Sequence, residues 1–111
     1  MTNIQYKACI ADCTATANVS RQCTHACLQE ADVKKLLECI QLTNDCAHIC
    51  ELAVKLMLAD SAYTKQVCML CADVCNACAT ICEKHVHMEH CRLCATDCRA
   101  CAIACIEMSK N

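Results

Sequence analysis

Between residues 68 and 105 the core-type positions alternate three and four apart, and nearly all of them are cysteine. Cys68, Cys71, Cys75, Cys78 and Cys82 form one run, and Cys91, Cys94, Cys98, Cys101 and Cys105 repeat its spacing. This is the heptad a/d pattern that a coiled coil fills with leucine. On a helix it gathers the thiols into one stripe. The same phase runs through two earlier segments. Tyr6, Cys9, Cys13, Thr16, Ser20, Cys23 and Cys27 predict a helix over residues 3–29, weakened in its middle by Asn18 and Ser20. Leu36, Cys39, Thr43, Cys46, Cys50, Ala53 and Met57 predict a second, from about Asp32 as N-cap to Ala59. The third is expected over 61–85, through Thr64 and its thiols to His85, and the fourth over 87–109, from His87 to Met108.

Connections of about two to five residues make neighbouring helices antiparallel. The expected fold is therefore all-α: one domain over 1–111, an up-down-up-down four-helix bundle with a cysteine-lined core. The third and fourth segments, CMLCADVCNACATIC and CRLCATDCRACAIAC, read as one repeated helix. Counting depth from the turns at about 1.5 Å per residue orders the core into layers. Cys27, Cys82 and Cys91 fall near one end, with His85 and His87 beyond them. Cys23, Cys39, Cys78 and Cys94 follow, then Cys75 and Cys98 opposite Ser20 and Thr43. Cys13, Cys46, Cys71 and Cys101 come next, then Cys9, Cys50, Cys68 and Cys105. Tyr6, Met57, Thr64 and Met108 close the far end.

Composition sharpens this picture. The chain has 17 cysteines and no Gly, Pro, Phe or Trp, so the punctuation that hairpins need is missing. A net charge of -2 and only two aromatic residues leave no basis for nucleic-acid binding. No run of 18 uncharged apolar residues is present, so no membrane span is expected. The first residues carry no basic region followed by an apolar run. A cytoplasmic location is expected, where thiols stay reduced and dense cysteine points to metal rather than disulfides.

Fourteen of the cysteines make seven i,i+4 pairs: 9/13, 23/27, 46/50, 71/75, 78/82, 94/98 and 101/105. Cys39, Cys68 and Cys91 are left over. Cβ atoms four apart on a helix lie about 5–6 Å from each other, too far for a disulfide, which wants about 3.8 Å. A metal between two thiolates suits them better, since two bonds of about 2.3 Å span about 4.6 Å. Thiolates select soft ions: Cu(I), zinc or iron–sulfur clusters. Charge favours the monovalent ion. A buried core without Lys or Arg must be largely neutral thiol. Each Cu(I) that replaces one proton leaves that neutrality intact, whereas a divalent ion on four thiolates leaves a net -2. The expected capacity is about one Cu(I) per cysteine.

The competing readings are weaker. A lone buried cysteine is usually plain packing, but 17 in phase are not lone. Iron–sulfur ligation needs loops and usually a following Pro, which this chain lacks. Zinc or general heavy-metal sequestration is the nearest alternative, and a thiol-redox or iron–sulfur protein the next. An enzyme is not expected, because no acid, base or oxyanion device accompanies the thiols. His85 and His87 are in phase beside the third turn, as mouth ligands or as solvated loop histidines; His90 lies one turn on. His25 and His48 are out of phase and read as structural. Met57 and Met108 read as apolar plugs, or as soft ligands at that end. Leu37, Ile40, Ile49, Leu52 and Leu56 lie off the thiol stripe of the second helix, as a subunit interface or a wider core.

The pattern resembles the bacterial copper storage proteins, four-helix bundles whose cores are lined by CxxxC pairs. The likeness runs from Cys9 to Cys105 and touches all four segments. The histidines at one end and the absence of a leader look like the cytosolic branch of that family. The resemblance implies many Cu(I) ions per subunit and a homotetramer. It makes the seven pairs and the three extra cysteines the core ligands, with His85 and His87 at the mouth. Thr16, Ser20 and Thr43 interrupt the sulfur seam at mid-height.

Overall fold

The computed structural model describes residues 3–110, with side chains from Tyr6 onward. Helix α1 spans Asn3–Leu28, α2 Leu37–Leu58, α3 Thr64–Cys82 and α4 Glu89–Ser109, and no strand occurs among the described residues. Single 3-10 turns, Val33–Leu36 and Glu83–His85, precede α2 and follow α3. Each helix packs on two others, α1 on α2 and α4 and α3 on the same two, so the four form a square. The bundle is a rod of 48 × 18 × 18 Å.

The heptad phase explains the packing. Every seam position, from Tyr6 to Cys27 on α1, Leu36 to Met57 before and along α2, and the thiols of α3 and α4, is buried. All 17 cysteines are buried and free. Alanines flank the stripe: Ala47, Ala72, Ala79, Ala95 and Ala102 are also buried, and their size lets the helices approach closely. Helix α3 with its following turn is long and apolar enough to pass as a membrane span by composition. Much of that apolarity is its thiol stripe, which faces the other three helices.

Turn chemistry departs from expectation. Asp32 and Ser61 were expected to start helices, but no helix that follows a turn has a side-chain N-cap bond. Tyr63 and Met88 stand at the caps of α3 and α4 instead. Asp60 adopts a left-handed φ of 52°. Its amide donates to Met57 O (3.2 Å) and that of Ser61 to Leu56 O (3.0 Å), the paired bonds of a Schellman ending. That position is usually Gly. In a glycine-free chain Asp takes it, being among the few residues that tolerate the conformation.

The larger departure is the depth of α2. The sequence places Cys39 one layer below the end, but α2 begins at Leu37 rather than Asp32. The 3-10 turn that ends at buried Leu36 covers the bundle end without descending it. Cys39 therefore lies in the first turn of α2, with its Sγ 3.5 Å from that of Cys82 and 3.9 Å from that of Cys91. Every later α2 thiol moves with it. Cys46 meets Cys75 (3.6 Å) and Cys98 (3.7 Å), and Cys50 meets Cys71 (3.6 Å) and Cys101 (3.9 Å). Cys46 thus fills the mid-height position that Thr43 was expected to hold.

Candidate metal centre

The period places the sulfurs on one axis, and the bundle brings stripes from four helices within reach of one another. Helix α1 supplies Cys9, Cys13, Cys23 and Cys27, and α2 supplies Cys39, Cys46 and Cys50. Of the seven i,i+4 pairs, 9/13, 23/27 and 46/50 have sulfurs 4.0 Å apart, and 71/75 and 94/98 have them 3.9 Å apart. Contacts between helices are as short: Cys101–Cys13 is 3.5 Å, and Cys105 is 3.7 Å from both Cys9 and Cys13. A trigonal ion with bonds of about 2.3 Å has donor sulfurs about 4.0 Å apart, and a linear one about 4.6 Å. The stripe is therefore set for two- and three-coordinate ions with little movement.

Sets of donors within 4.8 Å of one another recur along the rod. Cys13, Cys71, Cys101 and Cys105 make one, and Cys50, Cys71, Cys75 and Cys101 share two of its members. Cys9, Cys68 and Cys105 form a set at the far end, and Cys23, Cys82 and Cys94 one near the other. Shared members are what bridging thiolates require. Among the described residues no Lys or Arg lies in this stripe, and the thiols share protons with one another: hydrogen bonds from neighbouring sulfurs push some down, Cys46 and Cys101 among them, while others are pushed up. Burial, with Cys39 and Cys91 beside it, pushes the Cys27 thiol up. Hydrogen bonds shared with Cys101, Cys46, Cys50 and Cys71, together with burial, push Cys75 up.

Among the described residues, one histidine touches sulfur. His90 places Nδ1 3.5 Å from Cys23, 3.6 Å from Cys91 and 3.8 Å from Cys27. Its Nε2 lies 3.1 Å from Glu30 Oε2. With Nε2–H donating to that carboxylate, Nδ1 is left with its lone pair facing three sulfurs, the arrangement of a ligand fixed by its outer partner. His90 and these three cysteines form a four-donor set. The sequence reading put His90 a turn beyond the mouth. Because α4 starts at Glu89, the residue sits in the first turn, where side chains lean toward the helix N-terminus and so over the end layer.

His85 and His87 lie farther out. Half-buried His85 and exposed His87 stack edge to face at 6.2 Å. With Glu30, Asp32, Lys35, Leu36 and Met88 they line a surface cavity of about 350 Å³ over this end. Glu30 borders both this cavity and His90. Arg99 anchors the turn that carries His85: its Nε and Nη2 donate to the Glu83 carboxylate at 3.0 and 2.8 Å. His25 and His48 are exposed on the flanks, away from the stripe. At the other end Met57, Met108, Thr64 and Tyr6 are buried and close the rod.

The copper storage protein family (Csp) matches residues 2–110. The chain belongs to this family. Among solved structures, the Cu(I)-bound copper storage protein BsCsp3 superposes with a TM-score of 0.91 at 43% identity, covering 95% of this chain and 98% of that one. A cytosolic copper storage protein from Streptomyces lividans, described with five coppers, superposes at 0.93 with 36% identity, covering 99% and 96%. In sequence, the cysteine-rich protein YhjQ of Bacillus subtilis strain 168 is 45% identical over 81 residues, 73% of this chain and 75% of that protein. The fold expected of a copper storage protein, a four-helix bundle with its cysteines in the core, is the fold seen here.

Proposed function

We propose that this member of the copper storage family holds many Cu(I) ions along its core. The observation that carries the reading is the sulfur stripe: 17 buried free thiols, with neighbours 3.5–4.0 Å apart, shared between overlapping donor sets. Each Cu(I) that binds displaces about one proton, and the core stays neutral. Related structures carry the cargo: the Streptomyces lividans protein is described with five coppers and as loaded with 10 copper equivalents. Zinc is disfavoured by the same charge argument. The core thiols are ligands in this reading, and the chain acts as a store in the cytoplasm rather than as an enzyme. An anaerobic titration against a chromophoric Cu(I) chelator tests it. Tight uptake of about one ion per cysteine is expected; saturation at one or two equivalents overturns storage.

His90, backed by Glu30, is the first ligand that an ion meets in this reading. His85 and His87 form the outer approach to it rather than the inner site. The mixed apolar face of α2 divides in two. Ile40 and Ile49 pack against the core, whereas Leu37 is 62% and Leu52 43% exposed. The exposed pair supports self-association, and the tetramer implied by the family resemblance is the proposed assembly.

A further inference from the structure

The sulfur stripe is not uniform along its length. Among the described residues, its close and well-aligned sulfur contacts fall into two sets. The outer set joins Cys23, Cys27, Cys39, Cys82 and Cys91 at 3.5–4.0 Å, under His90. The deep set begins at Cys98 and Cys46 (3.7 Å) and continues to the Cys9–Cys105 end. Between them lies a level where two helices carry hydroxyls. Ser20 Oγ on α1 is 3.7 Å from Cys94 Sγ. Thr43 Oγ1 on α2 donates to Cys39 O (2.8 Å) and is 2.6 Å from Thr24 Oγ1. Only α3 and α4 carry sulfur here. Cys94 lies within 4.8 Å of Cys23 and Cys82 and 3.9 Å from Cys98, and buried Cys78 stands between Cys75 and Cys82 on the stripe of α3, about one turn from each.

We infer that Cys78 and Cys94 are the relay through which copper passes between an outer, exchangeable store and a deep reserve. The inference rests on the storage reading, with His90 at the entrance. A buried Cu(I) moves by ligand exchange: its bond to Cys82 or Cys23 breaks as one to Cys78 or Cys94 forms. The entering thiol gives its proton to the departing thiolate, and copper stays Cu(I). Two sulfurs share an ion only out to about 4.6 Å. A hydroxyl is too hard a donor to carry it on. A bare cation in this core is prohibitive. On the α1/α2 side Ser20, Thr24 and Thr43 therefore block the path, and traffic narrows to the two sulfurs opposite.

Stopped-flow Cu(I) uptake by the copper-free protein tests this, read as thiolate charge-transfer absorption. The wild type is expected to show a fast phase for the outer set and a slower one for the deep set. In Cys78→Ser/Cys94→Ser the fast phase persists, while the slow phase lengthens at least about tenfold, the factor that about 1.4 kcal/mol of added barrier gives. Adding Ser20→Cys to that background puts sulfur back at the same level on the opposite side and should recover most of the rate. Deep filling at the wild-type rate in the double variant overturns the relay, because copper then has another route. So does a slow phase that Ser20→Cys leaves unchanged, because the loss then reflects disturbed packing. A wild type that takes only one or two equivalents refutes storage itself, a different result from either.

Discussion

His90 Nδ1 lies 3.5 Å from Cys23 Sγ while Glu30 holds the opposite ring nitrogen at 3.1 Å. In the proposed reading an imidazole so oriented takes up the incoming soft ion, which then passes to Cys23, Cys27 and Cys91, all within 3.8 Å of the same nitrogen. His90→Ala is expected to slow uptake and chelator removal about tenfold or more, with capacity nearly unchanged, because losing an oriented ligand or its outer partner typically costs 10–100-fold. Glu30→Gln should show a smaller slowing in the same direction. His85→Ala/His87→Ala should slow uptake less than His90→Ala. The reverse order, measured by stopped flow, would place the first ligand on the outer wall.

Copper should stabilise the fold strongly. Thiols bury less apolar area than leucine, so the copper-free bundle draws less on the hydrophobic effect. A ligand that binds only the folded state at 100 times its dissociation constant adds about 2.7 kcal/mol. At about 4–8 °C per kcal/mol, the loaded protein should melt at least about 10 °C higher. Calorimetry of both forms decides it. Equal transition temperatures would mean that the cysteines serve packing alone.

The raised thiols predict opposite pH responses for the two forms. Cys27 and Cys75 keep their protons in the folded chain at a pH where an unfolded thiol, with a pKa of about 8.5, begins to lose them. The folded state then binds more protons than the unfolded one. The stability from these thiols is full below about pH 8.5 and is lost as pH rises toward their folded values. Copper-free protein should therefore denature at lower urea concentration as pH increases above about 8.5, where the contribution of the lowered thiols, Cys46 and Cys101 among them, is already complete. Loaded protein should resist this, because its thiolates are already formed. Apparent Cu(I) affinity, in contrast, should rise with pH, by about tenfold per unit for each proton displaced. A pH-independent affinity would show that the thiols are ionised before copper arrives.

The end of α2 offers a test of the fold apart from metal. Asp60 occupies a left-handed conformation at φ 52° that Gly adopts without penalty. Asp60→Gly is expected to stabilise the copper-free protein by about 0.5 kcal/mol, the net of relieved strain and a more flexible unfolded chain. That amounts to a melting point higher by about 2–4 °C. A lower melting point would show that the Asp60 carboxylate contributes more than its backbone costs.

Leu37 and Leu52 give the assembly prediction. Both are exposed on α2, 62% and 43%, and neither contributes to the core seam. Leu37→Glu/Leu52→Glu should shift the mass measured by light scattering toward the monomer while leaving helicity and copper capacity in place. An unchanged mass would exclude this face from the interface.

What the chain determines by itself is which residues go inside. The three-four alternation is a local property of a helix, so Cys9, Cys46, Cys75 and Cys101 could each be assigned to the core from their own neighbours. Reducing cysteine to a metal function needed only the count and the absence of charge in the seam. Depth was a different matter, because it depends on how the chain turns between helices. The 3-10 turn at Val33–Leu36 advances about 2.0 Å per residue against about 1.5 Å in an α-helix, and here it runs across the bundle end. Asp32 stands at its start, as the sequence suggests, but nothing in the sequence marks the change from 3-10 to α-helix at Leu37. It moves Cys39 up to Cys82 and lets Cys46 fill mid-height beside Cys75 and Cys98. His90 was hidden for the same reason. Its spacing is off the seam, and only the start of α4 at Glu89, with Glu30 brought alongside from the end of α1, turns its ring onto the sulfurs. Composition and period are set along one helix, whereas register and the mouth are set by the turns between helices, and those became visible only in three dimensions.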